Sequence, residues 1–286
     1  MVKCLIVYYS LGGTTKRIAN EISKGLKNTG FEVDIHDIVD GLPPSIENYD
    51  LLGLGTPTYY FRPPFIITDY IKSLPKIKIP YFSFILYGTI IGDGGNRIRK
   101  KLNKKIGRDI GYFKCNGTEN FYGYIKRGIV TYPSHPDLED LKQAENFGKS
   151  IESNLYNIGY KPEDFDKKPG FIYRFERFTT QKWIVQKFYY RFFKVNKFKC
   201  TKCGICVNSC PTNNINMEKG NLPKFGKNCI GCFNCELKCP ESAISSVLDW
   251  KIFSPFMDYN VRKIPKIPSV EMIKVKLNKG IAKRIE

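Results

Sequence analysis

Residues 3–15 read Lys3-Cys4-Leu5-Ile6-Val7-Tyr8-Tyr9-Ser10-Leu11-Gly12-Gly13-Thr14-Thr15. Lys3 to Tyr9 is an apolar run rich in β-branched and aromatic side chains, the pattern of a strand buried on both faces. The glycines and threonines make a turn, and Ile18, Ile22 and Leu26 then recur at helical spacing until Gly30 ends the segment. A strand covered on both faces needs helices above and below it, so alternation is expected downstream. Phe31 to Ile35, Asp50 to Gly55 and Tyr81 to Tyr87 read as further strands, a fifth lies within Ile110 to Ile129, and Leu138 to Leu155 makes a closing helix. Strands separated by helices with right-handed crossovers imply an α/β fold with a doubly wound parallel sheet of about five strands, open rather than closed into a barrel.

The 286 residues carry 46 Lys and Arg against 27 Asp and Glu, a formal charge of +19, with 42% hydrophobic and 26% charged side chains. That length gives a prior of about two domains, and the balance excludes wholesale disorder, collagen and a disulfide mini-protein. The first apolar run is too short for a signal peptide, and no run approaches the ~18 apolar residues of a membrane span. A cytoplasmic protein is expected, and in a reducing compartment dense cysteines read as metal ligands rather than disulfides.

Eight of the ten cysteines lie between positions 200 and 239. Cys200, Cys203, Cys206, Cys210 and Pro211 recur 29 positions later as Cys229, Cys232, Cys235, Cys239 and Pro240, and Ile215 recurs as Ile244. Each half spells CxxCxxCxxxCP, a run that binds a [4Fe-4S] cube. Three thiolates two residues apart wrap one corner of a cube from a single loop, and the fourth cysteine is carried by the next turn to the other cluster. One cluster is therefore expected on Cys200, Cys203, Cys206 and Cys239, and the other on Cys229, Cys232, Cys235 and Cys210. Structural zinc is the competing reading, but zinc ribbons pair two separated CxxC knuckles and need no third cysteine in the same loop. Cys4 and Cys115 fall in expected strands and read as small buried hydrophobes.

In a doubly wound sheet, ligands bind where loops leave the carboxyl ends of the strands. The first such loop, Ser10-Leu11-Gly12-Gly13-Thr14-Thr15, offers backbone N–H groups, a helix N-terminus and hydroxyls to a phosphate. It is neither a P-loop nor GxGxxG, which disfavours ATP and NAD. The second, Thr56-Pro57-Thr58-Tyr59-Tyr60-Phe61, supplies aromatic faces and hydroxyls. The third runs from Tyr87, Gly88 and Thr89 through Ile90 and Ile91 to Gly92 and Asp93, with glycines that let amides approach a flat ring. A monophosphate at one side and a planar ring at the other is the shape of FMN.

The first 155 or so residues thus resemble a flavodoxin domain, and residues 197–247 resemble a two-cluster bacterial ferredoxin. Together they resemble the flavodoxin-ferredoxin fusion proteins of anaerobic prokaryotes. Ser10, Gly13 and Thr15 match the family's Ser/Thr-x-Thr-Gly-x-Thr phosphate motif, and Gly55, Pro57 and Tyr59 match its Gly-x-Pro-x-Tyr loop. Gly12 departs where the family has Thr, removing one hydroxyl. The resemblance implies FMN, two [4Fe-4S] clusters and electron transfer. It divides the chain into a flavodoxin-like FMN domain (1–160), a basic aromatic linker with a docking helix (161–196), a small α+β ferredoxin domain (197–250) and a basic tail (251–286). A ferredoxin-dependent flavoenzyme reducing a quinone, nitro compound or flavin is one alternative. A flavin-free docking module, suggested by Gly12, is another. No catalytic constellation is discernible, and His36 and His135 are the only histidines.

The charge is uneven. Residues 1–160 hold 21 basic and 16 acidic side chains, while residues 161–286 hold 25 and 11. Eight thiolates around two cubes add about −4, so the excess positive charge sits in the linker and the tail. The linker interleaves it with Phe171, Tyr173, Phe175, Phe178, Trp183, Phe188, Tyr189, Tyr190, Phe192 and Phe193. Without a nucleic-acid-binding motif, nucleic acid is disfavoured, and a peripheral membrane contact stays a second reading. The expected partners are acidic redox proteins such as ferredoxins or iron-sulfur oxidoreductases, steered by charge.

Overall fold

β1 (Lys3–Tyr8) is buried along its whole length after Lys3, as its unbroken apolar run requires. A computed structural model describes residues 1–162, 166, 170–252, 254–278 and 281–284. After β1 come α1 (Thr14–Asn28), β2 (Glu32–Asp37), β3 (Leu51–Pro57), α2 (Phe65–Ser73), β4 (Tyr81–Tyr87), α3 (Gly94–Lys105) and β5 (Asp109–Asn116). The five strands pair in parallel in the order β2-β1-β3-β4-β5. This is the flavodoxin-like order, with its switch point between β1 and β3. β3 and β4 are buried through six of their seven residues, whereas the edge strand β2 alternates and is half exposed.

The chain continues through α4 (Tyr122–Ile125) and β6 (Ile129–Thr131) to α5 (Leu138–Tyr156). Ile18, Ile22 and Leu26 on one stripe of α1 are wholly buried in a core shared with Cys4, Ile6, Phe82, Cys115 and Ile151. Each such side chain contributes roughly 1.5–3 kcal/mol. α1 and α5 approach so closely at Gly25 and Gly148 that a Cβ on either would overlap the other helix's backbone. α5 opens on a capping box between Asp137 and Asp140, and Asp140 also engages His135. His36 on β2 meets the Gly41 carbonyl at 3.1 Å. Cys4 and Cys115 are the buried hydrophobes expected, and burial pushes both thiols far above their ordinary range.

Two compact units emerge, one of Met1–Thr118 with Ser134–Phe175 and the other of Glu119–Pro133 with Glu176–Glu286. Residues 119–133, which a reading along the chain places with the first domain, therefore fold with the cysteine repeat. After α5 the chain forms α6 (Phe171–Thr179), α7 (Lys182–Lys187), β7 (Lys194–Val195), α8 (Ile205–Asn208), β8 (Ile215–Asn216), β9 (Lys224–Phe225), α9 (Asn234–Leu237) and β10 (Ile244–Ser245). The stretch read as a tail forms α10 (Ser254–Lys263), β11 (Met272–Asn278) and β12 (Ile281–Arg284). β11 pairs antiparallel with β12 and with β6, setting Met272, Ile273 and Lys274 opposite Thr131, Val130 and Ile129.

The linker aromatics divide by role. Tyr173 is buried in the first unit; Phe193 is buried in the second, stacked on Phe225 at 4.8 Å and set 5.8 Å from Phe233, which meets Phe121 edge-on at 6.2 Å. Phe175, Phe178 and Trp183 are more than half exposed, and the Phe171 side chain lies outside the described residues. Among the described residues no helix is long and apolar enough to cross a membrane.

Candidate functional site

The two cysteine runs fold alike. Each puts three cysteines on a loop that enters a single helical turn, α8 or α9, and β8 and β10 follow in register. Positive φ recurs at the same repeat positions: Lys202 and Gly231, Gly204 and Phe233, Asn213 and Ser242. Glycine takes the left-handed conformation without strain, and it moves from the second position of this set to the first between halves. Phe233 adopts it at φ 54° with a buried ring, so aromatic packing offsets a strain of about 1–2 kcal/mol.

Cys200, Cys203 and Cys206 line one small pocket with Cys239 from the other half, flanked by Met217, Pro223 and Pro240. The second set is tied together electrostatically. Burial, then the neighbouring Cys229 and Cys210 thiols, drive Cys232 up to about 12. Burial and Cys210 push Cys229 to about 11, and Cys235 lies well above its ordinary range for the same reasons. Cys239 thus lies by the first loop's cysteines and Cys210 close enough to the second loop's to act on their charge. Backbone N–H groups point at the sulfurs, from Asn214 to Cys210 at 3.3 Å, its repeat mate Ala243 to Cys239 at 3.2 Å, and Gly231 to Cys229 at 3.4 Å. Buried thiols that resist ionisation in the bare protein, with amides already aimed at them, fit a metal cluster whose positive charge holds the thiolate form.

Sequence reasoning missed one group here. Glu236, the repeat mate of Val207, is fully buried between Cys235 and Cys239 in the chain and pairs with Lys126, which also reaches Asp249 at 2.6 Å. Burial pushes the Glu236 carboxyl up to about 7, and Lys126 pulls in the opposite direction. A carboxylate where the other half has valine was the available signal.

The three loops of the first unit converge at the carboxyl edge of the sheet. Gly13 caps α1 at φ 83° with open space where a Cβ would stand, and the first turn carries no acidic residue. The Lys16 amide donates to the Ser10 hydroxyl at 3.2 Å. Thr15 is buried, Thr14 half-buried beside Gly117, and Leu11 half-buried while Gly12 is exposed. Tyr9 joins the first loop to the second, its hydroxyl 3.3 Å from that of Tyr59 and the rings edge-on at 5.9 Å. The second loop is stitched to β4 where the Thr58 amide donates to the Leu86 carbonyl at 2.8 Å. Thr56 is buried with its hydroxyl turned onto the Pro57 carbonyl, and Tyr60 and Phe61 take positive φ. The Thr58 hydroxyl is buried with no protein partner, a polar atom a ligand would satisfy. In the third loop Asn116 donates to the Gly88 carbonyl at 3.1 Å, holding Tyr87, Gly88 and Thr89 against the end of β5. An anion-favouring helix start, an open cradle and an unsatisfied hydroxyl fit a phosphorylated flavin.

The linker adds to these loops. Tyr173 packs on Phe61 at 4.9 Å, lies against Gly92, and its hydroxyl bonds Asp93. Asp166 accepts the Asn96 amide at 2.9 Å at the start of α3 and the Tyr112 hydroxyl at 3.0 Å. The second and third loops are thus fastened by residues well outside the strand-and-loop rhythm that located them.

Residues 5–136 match the family model described as a flavodoxin domain, and residues 193–240 match the one described as a 4Fe-4S dicluster domain. An uncharacterised protein of Methanocaldococcus jannaschii is 31% identical over 156 residues, 54% of this chain and 100% of its own length. The chain is a flavodoxin-ferredoxin fusion protein. The fusion also resembles the flavodoxin-like domain-containing protein BilS of Clostridioides difficile, at 27% identity over 52% of this chain and 96% of that protein. Among solved structures it overlays oxidised flavodoxin 1 of Bacillus cereus with a TM-score of 0.43 and 20% identity, covering 54% of this chain and 99% of that one. Its two domains give the fusion an electron-transfer role with flavin and iron-sulfur cofactors.

Proposed function

We propose that the fusion protein holds FMN in the first unit and two [4Fe-4S] clusters in the second, and that it couples a low-potential one-electron carrier to the flavin. One cluster rests on Cys200, Cys203, Cys206 and Cys239, the other on Cys229, Cys232, Cys235 and Cys210. The carrying observation is that Cys239 lines the pocket of the first cysteine loop, as the repeated CxxCxxCxxxCP spacing with its third cysteine per loop requires for a cube. When bound, such clusters exchange single electrons and a flavin holds one or two. Ser10, Gly13 and the start of α1 receive the phosphate, the Thr58 hydroxyl and the Tyr59 and Tyr87 rings border the flavin, and Tyr173 and Asp166 fasten the loops.

The excess positive charge of residues 161–199 and of the C-terminal segment suits acidic redox proteins, through steered and transient encounters. Eight thiols that must stay reduced favour a cytoplasmic setting. Anaerobic purification with iron, sulfide and FMN quantified per chain tests the whole reading. About eight irons and one FMN are expected, with flavin absorbance bleaching as the clusters are reduced. Iron without flavin would leave the docking-module alternative standing, and sustained turnover of a quinone or nitro compound would favour the flavoenzyme.

A further inference from the structure

The duplication allows each surface position beside one cysteine set to be compared with its mate 29 residues on. Thr201, Lys202, Cys203 and Ile205 are exposed, whereas Ile230, Gly231 and Asn234 are buried and Cys232 is half-buried. Of the eight repeated cysteines, all of them described, Cys203 alone is exposed. Two halves with the same backbone thus present opposite environments, one open to water and one enclosed.

The open half is decorated as a contact surface. Phe198 is 88% exposed and Ile205 41%, two apolar side chains on the segment that carries Cys200, Cys203 and Cys206. Lys197 and Lys199 flank Phe198 along the chain, Lys202 lines the pocket with Cys203 and Ile205, all three lysines are exposed, and the Lys197 ammonium lies 5.0 Å from the Phe198 ring centroid. Glu241 is the acidic residue at the cavity's edge. An apolar centre with a cationic rim complements a protein carrying an acidic rim.

We propose that Phe198 and Ile205, together with Lys197, Lys199 and Lys202 on the exposed segment around Cys203, form the docking site for an acidic one-electron redox protein. The Cys200, Cys203, Cys206 and Cys239 set is then the port through which electrons enter or leave, and the enclosed set is internal. Each inward transfer leaves the docked protein oxidised by one electron and the port reduced by one, with no bond made or broken. This inference rests on the two-cluster reading above.

The test reads complex formation rather than turnover. Holoprotein is titrated at low ionic strength with a small acidic ferredoxin, both proteins oxidised, after iron per chain has been measured. The triple reversal K197E/K199E/K202E is expected to weaken Kd about tenfold or more, a loss that fades as salt rises. Phe198→Ala should weaken it without changing the salt slope. The control reversal K100E/K104E/K142E, in the first unit, should stay within about twofold of the parent. Zero-length carbodiimide cross-linking of the unmodified holoprotein should join the rim lysines to ferredoxin carboxylates. A rim reversal that binds like the parent, a control that weakens as much, or cross-links elsewhere would overturn the docking site. Parent protein without iron would instead overturn the two-cluster reading.

Discussion

Replacing Lys126 by methionine keeps most of the side chain's bulk and removes its charge. In the native structure that charge faces a Glu236 carboxylate with no solvent exposure, while the Lys126 side chain itself is only 19% exposed. The second carboxylate it reaches, Asp249, is 41% exposed and adds less than about 1 kcal/mol. The buried arm decides the outcome: the Glu236 carboxyl, already pushed up to about 7, takes up a proton at neutral pH once Lys126 is gone, so the loss is that of a buried charge-assisted hydrogen bond, about 1.5–3 kcal/mol. Urea unfolding of the full holoprotein, followed by visible cluster absorbance for the second unit and flavin fluorescence for the first, separates the two transitions. With a slope of roughly 1–3 kcal/mol per molar, the cluster transition should fall by about 1 M while the flavin transition stays in place. Adding Glu236→Gln should recover most of the loss, since a neutral amide needs no cation. An unshifted cluster transition in Lys126→Met, or a double variant no more stable than the single one, would refute the argument.

Other outcomes follow from the same geometry. Tyr173→Ala should loosen the second and third flavin loops and weaken FMN binding about tenfold, close to 1.4 kcal/mol; Tyr173→Phe, which keeps the Phe61 contact and loses the bond to Asp93, should cost about 1 kcal/mol in unfolding of the first unit. Gly13→Ala forces a left-handed residue to carry a Cβ, so stability should drop by about 1 kcal/mol while FMN titration shows a much larger loss because the methyl fills the phosphate cradle. Cys232→Ala should lower iron from about eight to about four per chain, leaving the Cys200, Cys203, Cys206 and Cys239 site loaded; unchanged iron content would contradict the ligand assignment.

What the sequence reveals and what it hides divide by distance along the chain. The strand of Lys3 to Tyr8 and the cysteine repeat are written locally, one as an unbroken apolar run and the other as fixed spacing, and both the sheet and the iron-sulfur domain could be anticipated from them. The pairing of Ile129–Thr131 with Met272–Lys274 has no local signature, because three ordinary strand residues do not name a partner some 140 positions away. For the same reason Asp166 and Tyr173 looked like parts of a connector, although both are buried against α3 and its preceding loop. Lys126 and Glu236 were invisible until the fold set them side by side. Gly12, a departure from the phosphate motif, sits exposed in a loop whose neighbours keep the cradle open.

The interruption of the second unit by Ser134–Phe175 of the first imposes an order in time. During synthesis α4 and β6 emerge before any of the repeated cysteines, and β11, which completes their sheet, follows the last cysteine by about 30 residues. At roughly 5–20 residues per second, all eight thiols are available for a few seconds before the strand that closes their unit exists. The chain therefore passes through an interval in which the whole cysteine repeat exists without the strand that pairs with β6, and lengthening or shortening residues 246–271 would change how long that interval lasts.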